Sequence, residues 1–163
     1  LGHSLGALIA YETYYELMKL GIKNPVHMFF SGRKAPNDMA DETDFYRLPD
    51  EEFIKVVESY GNTTKEVFED ETLRELFLPI LRADFEMGET YRYQEKTEKI
   101  NCDITVMNGK QDLSVFMSDM KLWSECSSGN CYIRYYQGGH FFLFETMEEV
   151  IEMIYESLTC TGK

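Results

Sequence analysis

The stretch Gly2-His3-Ser4-Leu5-Gly6, continuing as Ala7-Leu8-Ile9-Ala10-Tyr11-Glu12, decides how the rest of the chain is read. It matches G-x-S-x-G and leads directly into a helical pattern rich in Ala, Leu, Tyr and Glu that runs from Gly6 to Leu20. A serine so placed has the form of a nucleophile elbow, a strained turn between strand and helix. Side chains at the two flanking glycines would collide with neighbouring backbone. The alternative is an ordinary Gly/Ser turn at a helix start. Gly21 suits the left-handed position after the helix, and Asn24-Pro25 then breaks the chain.

Working outward, strand and helix patterns alternate. Val26 to Ser31 is a short apolar run that reads as a buried strand, Asp103 to Asn108 as a second and Cys131 to Tyr136 as a third. Ser114 is expected to cap a helix bearing Phe116, Met120 and Trp123. Thr146 and Glu149 form a T-x-x-E box ahead of the stripe Met147, Val150, Ile151, Ile154 and Leu158. Such alternation predicts an α/β protein with a parallel sheet and flanking helices. Residues 37–99 differ, reading as a helical insertion. Asp50 is expected to cap a helix carrying Phe53, Ile54, Val56, Val57 and Tyr60, with Gly61 as its stop. Thr64 is expected to cap a short helix through Phe68. Leu73, Leu76, Phe77, Ile80 and Leu81 follow helical spacing, with Pro79 kinking that stretch or starting a new helix.

The 163 residues suit one domain, here 1–163, and 44% hydrophobic content is enough for a core. With 16 basic and 29 acidic residues the net charge is −13, which argues against nucleic acid and against an anionic membrane surface as partners. No apolar run approaches the ~20 residues of a membrane span. Cys102, Cys126, Cys131 and Cys160 form no C-x-x-C pair and have no histidine at ligand spacing. They are expected to be reduced structural thiols of a cytoplasmic protein rather than metal ligands, with a Cys126–Cys131 disulfide as the lesser alternative.

A serine nucleophile needs a base, and there are three histidines. His3 lies inside the motif and would point away; His27 stands near the start of its strand, the wrong end. His140 follows Gly138-Gly139 directly after the last strand, where ligands of such sheets converge, and is therefore the base. The acid should lie between serine and histidine in the chain. Asp112, in the loop after strand 104–108, is preferred over Asp38 because its strand precedes the one carrying His140. It would hold the imidazole tautomer without accepting the proton. The Leu5 N–H supplies one oxyanion donor, and the second is expected from a loop upstream of Ser4. No metal or cofactor is required.

Beyond these residues, GHSLGALIAYE at 2–12, SGRKAPN at 31–37, LPILRADFEMGETYRY at 78–93, ITVMNGKQD at 104–112 and GGHFFLFE at 138–145 resemble the type II thioesterases of nonribosomal peptide and polyketide synthesis. The resemblance covers nearly the whole chain. It implies the α/β-hydrolase fold, with 37–99 as the lid, and Ser4, Asp112 and His140 as nucleophile, acid and base. It further implies a role in antibiotic-type biosynthesis, with acyl or aminoacyl groups hydrolysed from the phosphopantetheine thiol of a carrier protein. Leu113 departs from the proline often found after the family's acid.

Two other functions remain open: a general serine carboxylesterase, and a degenerate module that binds carrier protein without turnover. A basic patch at Arg33, Lys34 or Arg74/Arg82 would be needed to dock an acidic carrier. Phe45, Phe53, Phe68, Phe77 and Phe85 of the lid either line an acyl channel or pack the lid helices together. Leu1 is not methionine, and the family's amino-terminal strands, including the one leading into Ser4, are expected to precede it. By itself the segment is then expected to leave 26–31 with an unpaired edge, to associate, and to turn over weakly.

Overall fold

Four strands, all parallel, make the sheet. In the computed structural model, which describes residues 1–38, 43–61, 65–115 and 117–160, they are β1 (Gly2–His3), β2 (His27–Ser31), β3 (Asp103–Gly109) and β4 (Cys131–Tyr136), side by side in that order. β4 has the bounds its pattern predicts. β3 begins at Asp103 as expected and runs one residue further, to Gly109, while Val26 falls outside β2 and is exposed. The strand expected to be absent ahead of Ser4 is present in short form. Gly2 and His3 pair with Phe30 and Ser31, so the carboxyl end of β2 is not an open edge.

A parallel sheet buried on both faces needs apolar side chains on both, and the period of two supplies them. Phe30 stacks on Trp123 with ring centroids 4.1 Å apart, and Trp123 meets the edge of Tyr11 on α1 (Leu5–Lys19) at 6.1 Å. Phe29, the next residue along, points to the opposite face. It joins Met107, Tyr136, Phe142 and Val150 beneath α6 (Phe142–Glu145) and α7 (Met147–Cys160). Within the α7 stripe, Val150 is buried and Ile154 half-buried, whereas Met147, Ile151 and Leu158 stay exposed. Thr146 precedes α7, but its hydroxyl donates to the Phe142 carbonyl at 3.0 Å and so closes α6 instead of serving the expected box. α5 (Met117–Leu122) connects β3 to β4; Phe116 lies outside the described residues.

The chain divides into two compact units, Leu1–Asp38 with Gln94–Lys163, and Met39–Tyr93. The second holds α2 (Asp50–Ser59), α3 (Lys65–Glu69) and α4 (Glu71–Thr90) and, among its described residues, no strand. Its core is Phe53, Ile54, Val57, Phe68 and Leu78, with Leu48, Leu81 and Phe85 against it. Three of the five phenylalanines thus pack the unit itself, while Phe77 is 40% exposed. Pro79 neither kinks the stretch into two helices nor starts a new one, because Leu78, Leu81 and Phe85 keep one buried face in register across it. Leu73, Leu76, Phe77 and Ile80 lie on the other side of α4 and are exposed.

Asp50 is the first residue of α2 rather than its cap. Pro49 takes the capping position, and the Asp50 carboxylate instead accepts from Arg82 at 2.7 Å. Arg82 also donates to the Tyr46 and Leu48 carbonyls and lies 4.5 Å from the Phe53 ring. Glu89 accepts from the Thr43 hydroxyl and the Phe45 and Tyr46 N–H groups. Thr64, expected as a cap, lies outside the described residues. The expected basic patch is largely neutralised at home. Arg82 pairs with Asp50, Arg74 with Glu51 at 2.9 Å, and Lys34 with Asp119 at 3.8 Å.

Candidate active site

Ser4, Asp112 and His140 follow the carboxyl ends of β1, β3 and β4. Ser4 follows β1 and has φ 52° and ψ −123°, the only positive φ among the described non-glycine residues. Such a conformation costs about 1–3 kcal/mol and persists only where its surroundings impose it. Here the Ser4 N–H donates to the Ser31 carbonyl at 2.7 Å, and its own carbonyl accepts from Ala7 at the first turn of α1. Gly2 is required sterically, since a Cβ there would stand 2.0 Å from the Gly6 carbonyl oxygen. Gly6 is not, for a Cβ at that position would meet open space; only one of the two flanking glycines is forced by collision. Leu5 is the first residue of α1, so its N–H has no acceptor within the helix and belongs to the positive end of the helix dipole.

Asp112 and His140 meet. Nδ1 of His140 lies 2.9 Å from Asp112 Oδ2, and both side chains are buried. The Gly109-Lys110-Gln111-Asp112 loop leaves β3 while the Gly138-Gly139-His140 loop leaves β4, adjacent strands with Gly109 paired to Tyr136. The loops then approach so closely that a Cβ on Gly109 would stand 2.1 Å from the Gly139 carbonyl oxygen. Lys110 N–H donates to Tyr136 at 2.9 Å, Gln111 N–H to Gly138 at 3.0 Å, and Gly138 N–H to the Gln111 side chain at 2.6 Å. Asp38, the competing acid, follows Ala35 in the loop after β2; the partner of His140 is Asp112. Burial works to raise the Asp112 carboxyl's pKa, but hydrogen bonds from His140 and Ser114 outweigh it and hold the group below the usual carboxylate range.

Sequence reasoning missed two residues. Gln111 ties the acid loop to the histidine loop, as just described. Ser114 caps no helix. Its N–H and hydroxyl both reach Asp112 Oδ1, at 2.9 and 2.6 Å. The Asp-x-Ser spacing is a turn signal that would have found it.

His3 is directed not away from the site but against it. Its ring lies 4.9 Å from that of His140 and 5.6 Å from Phe141, with Nδ1 3.0 Å from Ser31 Oγ. Burial first, and His140 second, push its pKa down to about 4. His27 sits at the opposite end of the sheet, paired with Asp103, its Nε2 2.9 Å from Thr105 Oγ1. Burial lowers its pKa as well, against a smaller opposing pull from Asp103. Both rings therefore favour the neutral form in the folded state. Between the ordinary value of 6.5 and their folded values, the unfolded chain binds more protons. The stability they confer is complete above pH 6.5 and is lost as pH falls below it, for His3 toward about 4. Thermal midpoints measured from pH 7.5 to 4.5 should fall below pH 6.5. The His3→Asn/His27→Gln double variant should show a shallower fall, and an identical slope would contradict this assignment.

Among the described residues no group of three or more His, Cys, Asp or Glu side chains is arranged to hold a metal, and no helix is long and apolar enough to cross a membrane. Cys102, Cys126 and Cys131 are free thiols; burial pushes Cys102 up to about 11 and Cys126 up to about 12.

Comparison with known proteins follows the same lines. The chain is 38% identical over 158 residues to the gramicidin S biosynthesis protein GrsT of Aneurinibacillus migulanus, covering 97% of this chain and 61% of that one. It thus spans about three-fifths of that relative's length. Among solved structures, ClbQ from the colibactin NRPS/PKS pathway superposes with TM-score 0.91 at 27% identity, over 98% of this chain and 67% of that chain. BorB, the type II thioesterase from the borrelidin biosynthetic cluster, gives 0.86 at 32% identity, over 97% and 64%. These neighbours carry the α/β-hydrolase fold that the resemblance implies. Residues 1–158 match the family model described as a thioesterase domain, and the chain belongs to that family.

Proposed function

We propose that the protein hydrolyses acyl or aminoacyl thioesters carried on the phosphopantetheine arm of a carrier protein, using Ser4, His140 and Asp112. The observation that carries this reading is the buried pair His140–Asp112, in a member of the thioesterase family whose Ser4 is held at positive φ directly after β1. The relation to GrsT and BorB supports a place in peptide or polyketide biosynthesis. Free thiols at Cys102, Cys126 and Cys131 suit a cytoplasmic setting.

In this mechanism His140 accepts the Ser4 hydroxyl proton while Oγ attacks the thioester carbonyl. The oxyanion of the tetrahedral intermediate is held by the Leu5 N–H at the head of α1. Collapse breaks the C–S bond, and the departing thiolate takes the proton from imidazolium, leaving a free carrier thiol and an acyl ester on Ser4. His140 then deprotonates a water that attacks this ester, and the released serine recovers the proton. Asp112 keeps Nδ1–H directed at itself and stabilises the imidazolium. A thiolate leaves readily, so no strong acid is needed. The Met39–Tyr93 unit is proposed to be the family's lid.

Substrate form tests the reading. Short acyl groups should leave a loaded carrier protein faster than they leave coenzyme A. The expectation follows from membership of the thioesterase family beside type II thioesterases such as BorB. Equal rates on the two substrates across several salt concentrations would argue for a general esterase instead.

A further inference from the structure

We propose that Ser114 is a positioning residue of this site, its hydroxyl fixing the Asp112 carboxylate and moderating how strongly that carboxylate binds the charged form of His140. The inference rests on the catalytic reading above and goes beyond it by adding a fourth side chain.

The geometry is specific. Asp112 uses its two oxygens differently: Oδ2 takes His140 Nδ1 at 2.9 Å, and Oδ1 takes the Ser114 N–H at 2.9 Å and the Ser114 hydroxyl at 2.6 Å. Ser114 Oγ lies only 3.4 Å from His140 Nδ1, so the hydroxyl stands in the angle between acid and base. At 2.6 Å the hydroxyl donates to the carboxylate, leaving the Nδ1 proton directed at Oδ2. With three donors on two oxygens, the carboxylate has one orientation in which all are satisfied. Rotation about its Cβ–Cγ bond would forfeit at least one charge-assisted bond in a buried site. Among the described residues, His3 from β1 stands against the His140 ring, and the Glu145 carboxylate of α6 lies against Gly138 in the histidine loop. His3 is neutral near pH 7, so Ser114 is the polar side chain that tempers the carboxylate's charge.

Removing the hydroxyl has two separable consequences. The carboxylate loses one of its three donors and is less firmly oriented, so the chemical step slows while substrate binding does not change. The carboxylate also becomes more basic, which favours imidazolium and carries the acid limb of the rate profile upward. A hydroxyl that merely steadied the loop would not move that limb. The backbone N–H bond survives any substitution except proline, so the turn is retained.

The experiment is steady-state hydrolysis of one acyl thioester by the wild type, Ser114→Ala, Ser114→Thr and Asp112→Asn, from pH 5.5 to 9. Ser114→Ala should lose about 10-fold in kcat with KM within about twofold, as expected for loss of one charge-assisted hydrogen bond in the chemical step. Its acid limb should rise by about half a pH unit. Ser114→Thr, which keeps the hydroxyl, should restore both. If Ser114→Ala keeps the wild-type kcat and acid limb while Asp112→Asn is inactive, Ser114 has no such role and the triad stands. A fully active Asp112→Asn overturns the catalytic reading itself. Should Ser114→Ala fail to fold, Ser114→Cys, a weaker donor of similar shape, must displace the acid limb in the same direction, and an unmoved limb overturns the proposal.

Discussion

Ser4→Ala lowers thioester turnover by at least about 10³-fold and abolishes labelling by a fluorophosphonate probe. The expectation follows from position as much as from chemistry. Ser4 is held at φ 52° between β1 and α1, its N–H committed to Ser31, so its side chain is presented at the carboxyl end of the sheet. Alanine keeps the turn's steric demands close to those of serine, so the variant should fold and differ only in lacking the attacking oxygen. Thermal midpoints of the two forms should agree within a few degrees. Labelling that persists in the folded alanine variant removes Ser4 from the nucleophile role. Binding of carrier protein should survive the substitution, which separates an enzyme from a module that only binds.

The second large effect is at the acid. Asp112→Asn should lower kcat by about 10³–10⁴-fold with the fold intact. Asparagine is nearly isosteric, but its amide can turn a donor toward His140 Nδ1, stabilising the tautomer whose Nε2 carries the proton and cannot accept one from Ser4. It also removes the negative charge that supports imidazolium. Both losses fall in the transition state, so KM should hold while kcat drops. The carboxylate's low pKa, maintained by His140 and Ser114 against burial, further predicts that activity will not be limited by Asp112 protonation above about pH 5. An Asp112→Asn enzyme within tenfold of the wild type would leave His140 without its assigned partner and return Asp38 to consideration.

The elbow, the strand–helix alternation and the order Ser4, Asp112, His140 were legible in the chain because each rests on local constraints. Gly2 must be glycine for a contact four residues away, and a stop such as Gly21, at φ 68°, is written into neighbouring residues. Strand 131–136 was bounded correctly because its turn residues flank it directly. Errors arose where a residue's partner is distant in sequence. Asp50 has the chemistry of a helix cap, but Arg82 lies 32 positions away and claims it. Pro79 should break an isolated helix, and only the shared buried face of Leu78, Leu81 and Phe85 carries α4 through. His3 looked like a bystander until folding set its ring against His140 across 137 positions of chain.

By itself, then, the sequence determined the candidates proposed as nucleophile, acid and base and the class of sheet that carries them, because spacing along one strand–turn–helix unit is fixed by backbone sterics. Tertiary structure alone decided how those groups are tuned. That Ser114 donates to Asp112 rather than capping a helix, that Gln111 ties two loops, and that His3 stays neutral all depend on burial and on loops from adjacent strands meeting. Hydrogen-bond direction and desolvation are properties of an assembled environment, and no local pattern in the chain encodes them.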